Sequence, residues 1–461
     1  MGLISSIRNF YAISKPVPLG SDAGTAAAER RYHRLAIQSF IAGTVGYSLY
    51  YVCRTSLNVM KKPIIDSGVL DAAELGVISS TLLFVYAIGK FVNGFLCDHC
   101  NIKRFMMTGL AVSLFANLAM GVLGLVESAI PTAVIFVCFA ILWGINGWVQ
   151  SMGSPPAIIS LSRWFPLSKR GTYYGLFSLS HNLGEFLSFL FVGNVVLMAG
   201  WQWGFIGSAV AGLLGVILIY LLMHDTPQSE GLPPIETIAN ESVGSEQNTA
   251  TIQRQVLRTP AVWVLAAASA FMYISRYAIN GWGVLFLEEA KGFASEDAVW
   301  IVSINALLGI FGTVLSGWFS DKVFKGDRQI PALIFGVLNT IALALFVFGG
   351  NAMWVNVVAM SIFGVAMGVL ICFLGGLMAV DIVPRGATGA ALGIVGVASY
   401  IAAGLQDVIS GWLIDNSTTI LADGSREYDF TAAAIFWIAA SVISFILPLF
   451  NWRYGKKDRK D

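Results

Sequence analysis

Two arginines stand where arginine is least expected. Arg54 lies in Tyr51-Val52-Cys53-Arg54-Thr55-Ser56-Leu57-Asn58, inside an apolar run long enough to span a membrane. Arg276 lies in a similar run, in Tyr273-Ile274-Ser275-Arg276-Tyr277-Ala278-Ile279-Asn280. Both stretches follow Tyr-x-x-Arg-x-x-(Leu/Ile)-Asn, and Arg276 comes 222 residues after Arg54, about half the chain. An arginine at the bilayer centre costs at least ~2.5–3.5 kcal/mol, so it points to function. A guanidinium stays protonated where the dielectric is low and offers paired donors to phosphate oxygens. A phosphate monoester carries about −1.5 to −2 charge near pH 7, which two arginines match. One such residue in each half reads as a single anion site built from a duplicated unit. A third cation, Lys90, also lies inside an apolar run, with an acid in another span as its rival partner. His181 is the one histidine in a span. It falls ~10 residues in and so ~15 Å deep, where an imidazole can donate to an anion.

These residues need membrane helices to position them. The 461 residues are 56% hydrophobic and 12% charged, with mean hydropathy +0.72, where soluble chains carry about 25% charge. The 48 glycines lie among apolar residues, as in helices that pack closely in lipid. Twelve runs near the ~20 residues of a span are present. The expected organisation is a tail over 1–34, a first six-helix bundle over 35–223, a linker over 224–260, a second bundle over 261–451 and a basic tail over 452–461. The linker is marked by Pro227, Gly231, Pro233, Pro234 and many small polar residues. Of the 28 lysines and arginines, only Lys61, Lys62, Lys291 and Arg426 fall in the odd-numbered loops. Both termini are therefore expected to be cytoplasmic. The first residues lack the apolar core of a cleavable signal peptide. A net charge of +1 gives no sign of nucleic-acid binding. The five scattered cysteines predict no disulfide framework.

A second marker repeats at nearly the same offset. Gly94-Phe95-Leu96-Cys97-Asp98, then Lys103 and Arg104, ends the second run; Gly317-Trp318-Phe319-Ser320-Asp321, then Lys322 and Arg328, ends the eighth. Glycine for close helix contact and aspartate for a charged latch is the structural reading, with Asp381 and Arg385 as a further latch. Cys97 and Cys100 have a metal-site spacing, but His99 stands alone and there is no second pair, so no metal or other cofactor is expected. Gly-x-x-x-Asp followed by basic residues at both places resembles the major facilitator superfamily. The fold this implies is all-α integral membrane, with twelve transmembrane helices in two pseudo-symmetric six-helix bundles.

Lys169-Arg170-Gly171-Thr172, Ser180-His181-Asn182-Leu183-Gly184, the Tyr-Tyr-x-x-Arg of the first run and the arginine of the seventh resemble the organophosphate:phosphate antiporter family, closest to its hexose-phosphate transporter and sugar-phosphate sensor branch. The resemblance covers essentially the whole membrane part. It implies that Arg54 and Arg276 bind phosphate at the apex of a cavity, with substrate contacts from His181, Lys90, Tyr86, Tyr47, Tyr50 and Tyr51. Tyr273, Asn146 and Gln150 are further candidates, with support or kinking of their helices as the alternative. Glu185 departs from the family pattern, which has small residues there. It lies four residues after His181 on the same helix face, and pairing with His181, pairing with Lys90 or accepting sugar hydroxyls are its open readings. Asp407 is either a hydroxyl acceptor or the partner of a cation.

The expected function is exchange of a sugar phosphate, such as glucose 6-phosphate, for inorganic phosphate by alternating access in a bacterial inner membrane. No enzyme activity is expected. An empty, closed site would bury both arginines unpaired, which is costly and would tie movement to a bound anion. The rival readings are a sensor of the same fold that signals to a membrane kinase, and a proton-coupled carrier of another organic anion. The expected partners are the phosphorylated sugar, inorganic phosphate and the lipid bilayer, with the protein a monomer.

Overall fold

The computed structural model is almost entirely helical and describes residues 3–19, 26–239, 257–318, 323–324, 327–378, 382, 388–420 and 426–451. A short helix, α1 (Leu3–Tyr11), precedes the first bundle. That bundle comprises α2 (Ala26–Asp66), α3 (Ala72–Asp98), α4 (Ile102–Leu125), α5 (Thr132–Gln150), α6 (Ser154–Trp164), α7 (Leu167–Phe177), α8 (Ser180–Leu187), α9 (Gly193–Ala199) and α10 (Trp201–Leu222). After a short α11 (Ile235–Ala239), the second bundle comprises α12 (Pro260–Glu289), α13 (Ser295–Trp318), α14 (Gln329–Phe348), α15 (Met353–Cys372), α16 (Thr388–Asn416) and α17 (Thr431–Ile446). A two-residue strand pair, β1 (Thr419–Ile420) and β2 (Arg426–Glu427), caps the loop before α17.

Eleven helical segments among the described residues are long and apolar enough to cross a membrane. The 41-residue helix α2 is not among them, and Tyr47, Tyr50, Tyr51, Arg54, Lys61 and Lys62 interrupt its apolar run. Polar residues are tolerated there because neighbouring helices cover them: Arg54 is 5% exposed. Two passes are segmented. The helix α5 stops at Gln150, and α6 restarts with Pro155 in its first turn, where a missing N–H costs nothing. The pass α7–α8–α9 is broken at Ser178 and widened by a π turn over Ser188–Val192.

Glycines set the spacing within each half, in matching ways. A Cβ on Gly147 of α5 would lie 2.3 Å from the Leu82 carbonyl oxygen of α3. One on Gly364 of α15 would lie 2.3 Å from the Asn305 carbonyl oxygen of α13. The halves meet along two seams, α3 against α16 and α8–α9 against α13. On the first, Gly76 meets the Asp407 carbonyl and Gly411 the Ala72 carbonyl, each 2.6 Å from where a Cβ would sit. On the second, Gly193 packs on Val299, and Asn182 Nδ2 donates to Thr313 Oγ1 at 3.3 Å. The contacts at Gly76, Gly411 and Gly193 lie toward the ends of the helices opposite the chain termini, and the Asn182–Thr313 bond lies nearer the other end of α13.

Nearer the termini the contacts differ among the described residues. A Cβ on Gly94 would meet nothing within 4 Å, so this glycine does not serve the close helix contact expected of it. The side chains of Asp98, Asp321, Asp381 and Arg385, expected as latch residues, lie outside the described residues, and Gly317 is described only as part of α13. The first stretch of the expected linker is folded onto the first bundle. Asp225 accepts from Arg163, from the Ser14 amide at 2.8 Å and from the Ile102 amide at 3.0 Å, and Leu232 and Ile235 are buried.

Candidate functional site

Arg54 enters the middle of the molecule from α2. Its guanidinium carbon lies 4.0 Å from the ring centre of Tyr86 (α3), 5.2 Å from that of Tyr400 (α16) and 5.3 Å from that of Tyr51. Its Nη2 donates to Tyr277 Oη at 3.2 Å. Among the described residues it has no acidic partner. Aromatic faces attract a cation without neutralising it, and the attraction grows where water is excluded. Arg54 is therefore held in place with its charge still available.

Arg276 enters from α12 and is 5% exposed. Its guanidinium carbon lies 5.9 Å from the ring centres of both Tyr273 and Tyr277. Those two rings stack at 5.9 Å with an interplanar angle of 22°. Tyr277 thus touches both arginines, one through its hydroxyl and one through its ring, and the two cations of the two halves converge on it. Unlike Arg54, Arg276 has an acid: its Nη2 donates to Glu185 Oε2 at 3.1 Å. The second carboxylate oxygen, Oε1, accepts from Asn280 Nδ2 at 2.6 Å. Glu185 is therefore engaged across the seam, and its pairing with His181 or with Lys90 is not what the structure shows. Arg276 outcompetes both because its planar fork and Asn280, one helical turn on, face α8 together.

Lys90 lies with Nζ 5.1 Å from the ring centre of Tyr400, at the partly exposed inner edge of the same group, and has no acidic partner among the described residues. The ring of Tyr86 packs edge-on against Tyr400 at 4.6 Å. His181 is half-buried, 6.1 Å from Tyr51 between ring centres, and its Nε2 has no hydrogen-bond partner among the described residues. The site so assembled comprises Arg54, Arg276, Lys90, His181 and Glu185 among Tyr51, Tyr86, Tyr273, Tyr277 and Tyr400.

Other expected residues lie elsewhere. Asn146 and Gln150 are buried behind α2. Asn146 Nδ2 donates to the Cys53 carbonyl at 3.1 Å and Gln150 Nε2 to the Tyr50 carbonyl at 3.0 Å. Ser113 and Asn117 complete this network, with Asn117 also donating to the Cys53 carbonyl at 3.0 Å. These side chains grip the turn of α2 that carries Arg54, so they orient it from behind. Tyr50 turns away too, donating its hydroxyl to the Met106 carbonyl of α4. Tyr47 stacks on Phe177 at 5.4 Å and lines the approach from the open end. Asp407 pairs with Lys61 at 3.4 Å and accepts from Trp282 Nε1 at 3.0 Å, while Lys61 lies 3.7 Å over the Trp282 ring. Lys61 was counted as a loop residue, but α2 continues to Asp66 and buries it to 1% exposure. Being seven residues beyond Arg54, it lies ~10 Å further along the helix.

Tyr277, Tyr400 and Trp282 escaped the sequence reading. Tyr277 adjoins Arg276 but has no counterpart after Arg54, where Thr55 stands. Tyr400 is the one aromatic residue between Gly393 and Gly404, which is the signal that marks it.

Comparison with known proteins bears on what the site holds. Residues 43–406 match the family model described as Major Facilitator Superfamily. A "Glycerol-3-phosphate transporter" of Bacillus subtilis is 31% identical over 457 residues, covering 96% of this chain and 98% of that one. A "Probable hexose phosphate transport protein" of Chlamydia pneumoniae is 32% identical, covering 94% of each chain. A "Membrane sensor protein UhpC" of Salmonella typhimurium is 32% identical, covering 88% of this chain and 90% of that one. The chain is thus a multi-pass integral membrane protein of transporter type rather than an enzyme. It belongs to the Major Facilitator Superfamily, in the organophosphate:phosphate antiporter branch.

Proposed function

We propose that this protein carries a sugar phosphate, a hexose 6-phosphate such as glucose 6-phosphate, across a bacterial inner membrane in exchange for inorganic phosphate. The observation that carries the reading is the convergence of Arg54 and Arg276, one from each half, on Tyr277. Arg54, Arg276 and Lys90 bring three positive charges and Glu185 one negative, which leaves the surplus that a phosphate dianion matches. The tyrosine hydroxyls and ring faces suit the sugar. A site shared between the halves is exposed to alternate sides when they rock about it. The close contacts at Gly76, Gly411 and Gly193 fit a state closed on the side opposite the chain termini.

The test is reconstitution in liposomes. Uptake of radiolabelled phosphate should rise several-fold when unlabelled phosphate is inside, and hexose 6-phosphate should compete with it. Uptake indifferent to internal phosphate and to sugar phosphates would contradict the reading. The sensor reading has one support, the relative named as a sensor. It predicts binding of the sugar phosphate with no flux in the same liposomes.

A further inference from the structure

Glu185 is an acid in a site built for anions. It is 4% exposed, belongs to the first half and commits both oxygens to the second, Oε2 to Arg276 at 3.1 Å and Oε1 to Asn280 at 2.6 Å. Asn280 is itself braced, accepting from Asn305 Nδ2 at 3.3 Å. A carboxylate and a phosphate offer a guanidinium the same kind of acceptor oxygens. Glu185 therefore occupies the place on Arg276 that a ligand's phosphate would take. Arg54, the other site arginine, is surrounded by the rings of Tyr51, Tyr86 and Tyr400. The expected bare pair of buried guanidiniums is thus absent: one is neutralised by the chain itself and the other is caged by aromatic faces. Two further ion pairs join the halves, Lys61 with Asp407 and Lys62 with Glu289, and both are likewise complete without a ligand.

We propose that Glu185 is a tethered counter-anion which lets the unloaded protein close and reorient, so that the carrier performs net transport of its anion as well as exchange. The proposal rests on the exchange reading above. A carrier is confined to exchange when its empty site cannot pass through the closed state, because a buried charge stripped of its partner is costly. Glu185 removes that barrier at Arg276, the ring faces of Tyr51, Tyr86 and Tyr400 lower it at Arg54, and Lys90 keeps part of its exposure. It reaches from α8 to α12, joining the first half to the second at the site itself. An arriving phosphate displaces the carboxylate from Arg276, and on release the carboxylate returns. The ligand and Glu185 alternate on one guanidinium, and the protein can move in either condition.

The experiment uses the full chain in liposomes of phosphatidylethanolamine and phosphatidylglycerol, loaded with radiolabelled inorganic phosphate. Potassium and valinomycin hold the membrane potential at zero. Efflux into phosphate-free buffer measures net transport, and efflux into unlabelled phosphate measures exchange. Wild-type net efflux should exceed that of protein-free liposomes and reach within about tenfold of exchange. E185Q should lower the ratio of net efflux to exchange by on the order of 100-fold, and E185D, which keeps the charge, should hold it within about tenfold. Rapid wild-type exchange with net efflux no greater than that of protein-free liposomes would overturn the proposal and leave the exchange reading standing. An E185Q protein that loses net efflux and exchange in equal proportion would overturn it too, showing a structural role. If wild type does not exchange at all, the exchange reading itself falls, and the proposal with it.

Discussion

At the scale of single residues, the chemistry of arginine is used in two ways. Arg54 is caged but uncompensated, and Arg276 is compensated from across the seam. The repeated Tyr-x-x-Arg motif made both arginines legible in the sequence, because only local spacing was needed to see them. Their partners were not legible. Glu185 lies 91 residues before Arg276, and Lys61 lies 346 before Asp407, so nothing in either segment announces the other. A buried lysine outside the membrane-spanning helices gives a prediction of its own. Lys291, in the turn after α12, donates to the Gly350 carbonyl at 2.9 Å and to Asn356 Oδ1 at 2.8 Å. Burial pushes its ammonium down from 10.5 to about 8. Between those values the folded protein binds fewer protons than the unfolded chain, so this residue's contribution to stability improves as pH rises through the window. Thermal unfolding at pH 8 and pH 10 should therefore show the wild type gaining a few degrees relative to K291M at the higher pH. A relative loss would contradict the assignment.

At the scale of elements, the helices were read well and their junctions less so. Apolar runs and prolines mark where α5 yields to α6, since Pro155 can begin a helix but not continue one. The π turn in the α8–α9 pass leaves no such sign in Ser188–Val192. Asn146 and Gln150 looked like substrate ligands by residue type, yet each binds a carbonyl of α2. A polar side chain in a span must satisfy itself somewhere, and sequence does not say on which face. The seam between α3 and α16 depends on glycine. An alanine at Gly76 would put its Cβ 2.6 Å from the Asp407 carbonyl oxygen, a backbone atom with little room to yield. Overpacking of this kind costs roughly 1–3 kcal/mol, which here falls on the state closed at this end and not on either bundle alone. With Ser79→Cys as reporter, G76A should speed labelling by an impermeant maleimide from outside by about tenfold. Unchanged labelling would show that this seam does not limit access.

At the scale of the whole molecule, duplication explains the most. The duplication was legible from repeated motifs at nearly one offset, with a polar stretch between them. The same duplication appears in space as Gly147 on Leu82 and Gly364 on Asn305. The way the halves meet was not legible, because cross-seam pairs such as Asn182 with Thr313 join surfaces that share no sequence pattern. That meeting produces the site, since neither half alone places two guanidiniums about one tyrosine. The central claim is that both arginines hold the same anion. Its most direct test is a double-mutant cycle on the affinity of purified protein for inorganic phosphate, using R54Q, R276Q and the pair. Two residues on one ligand couple, whereas independent sites add. Each single change should weaken binding by about 100-fold or more, and the pair by far less than the product of the two. Binding at full strength with either arginine replaced would contradict a shared site.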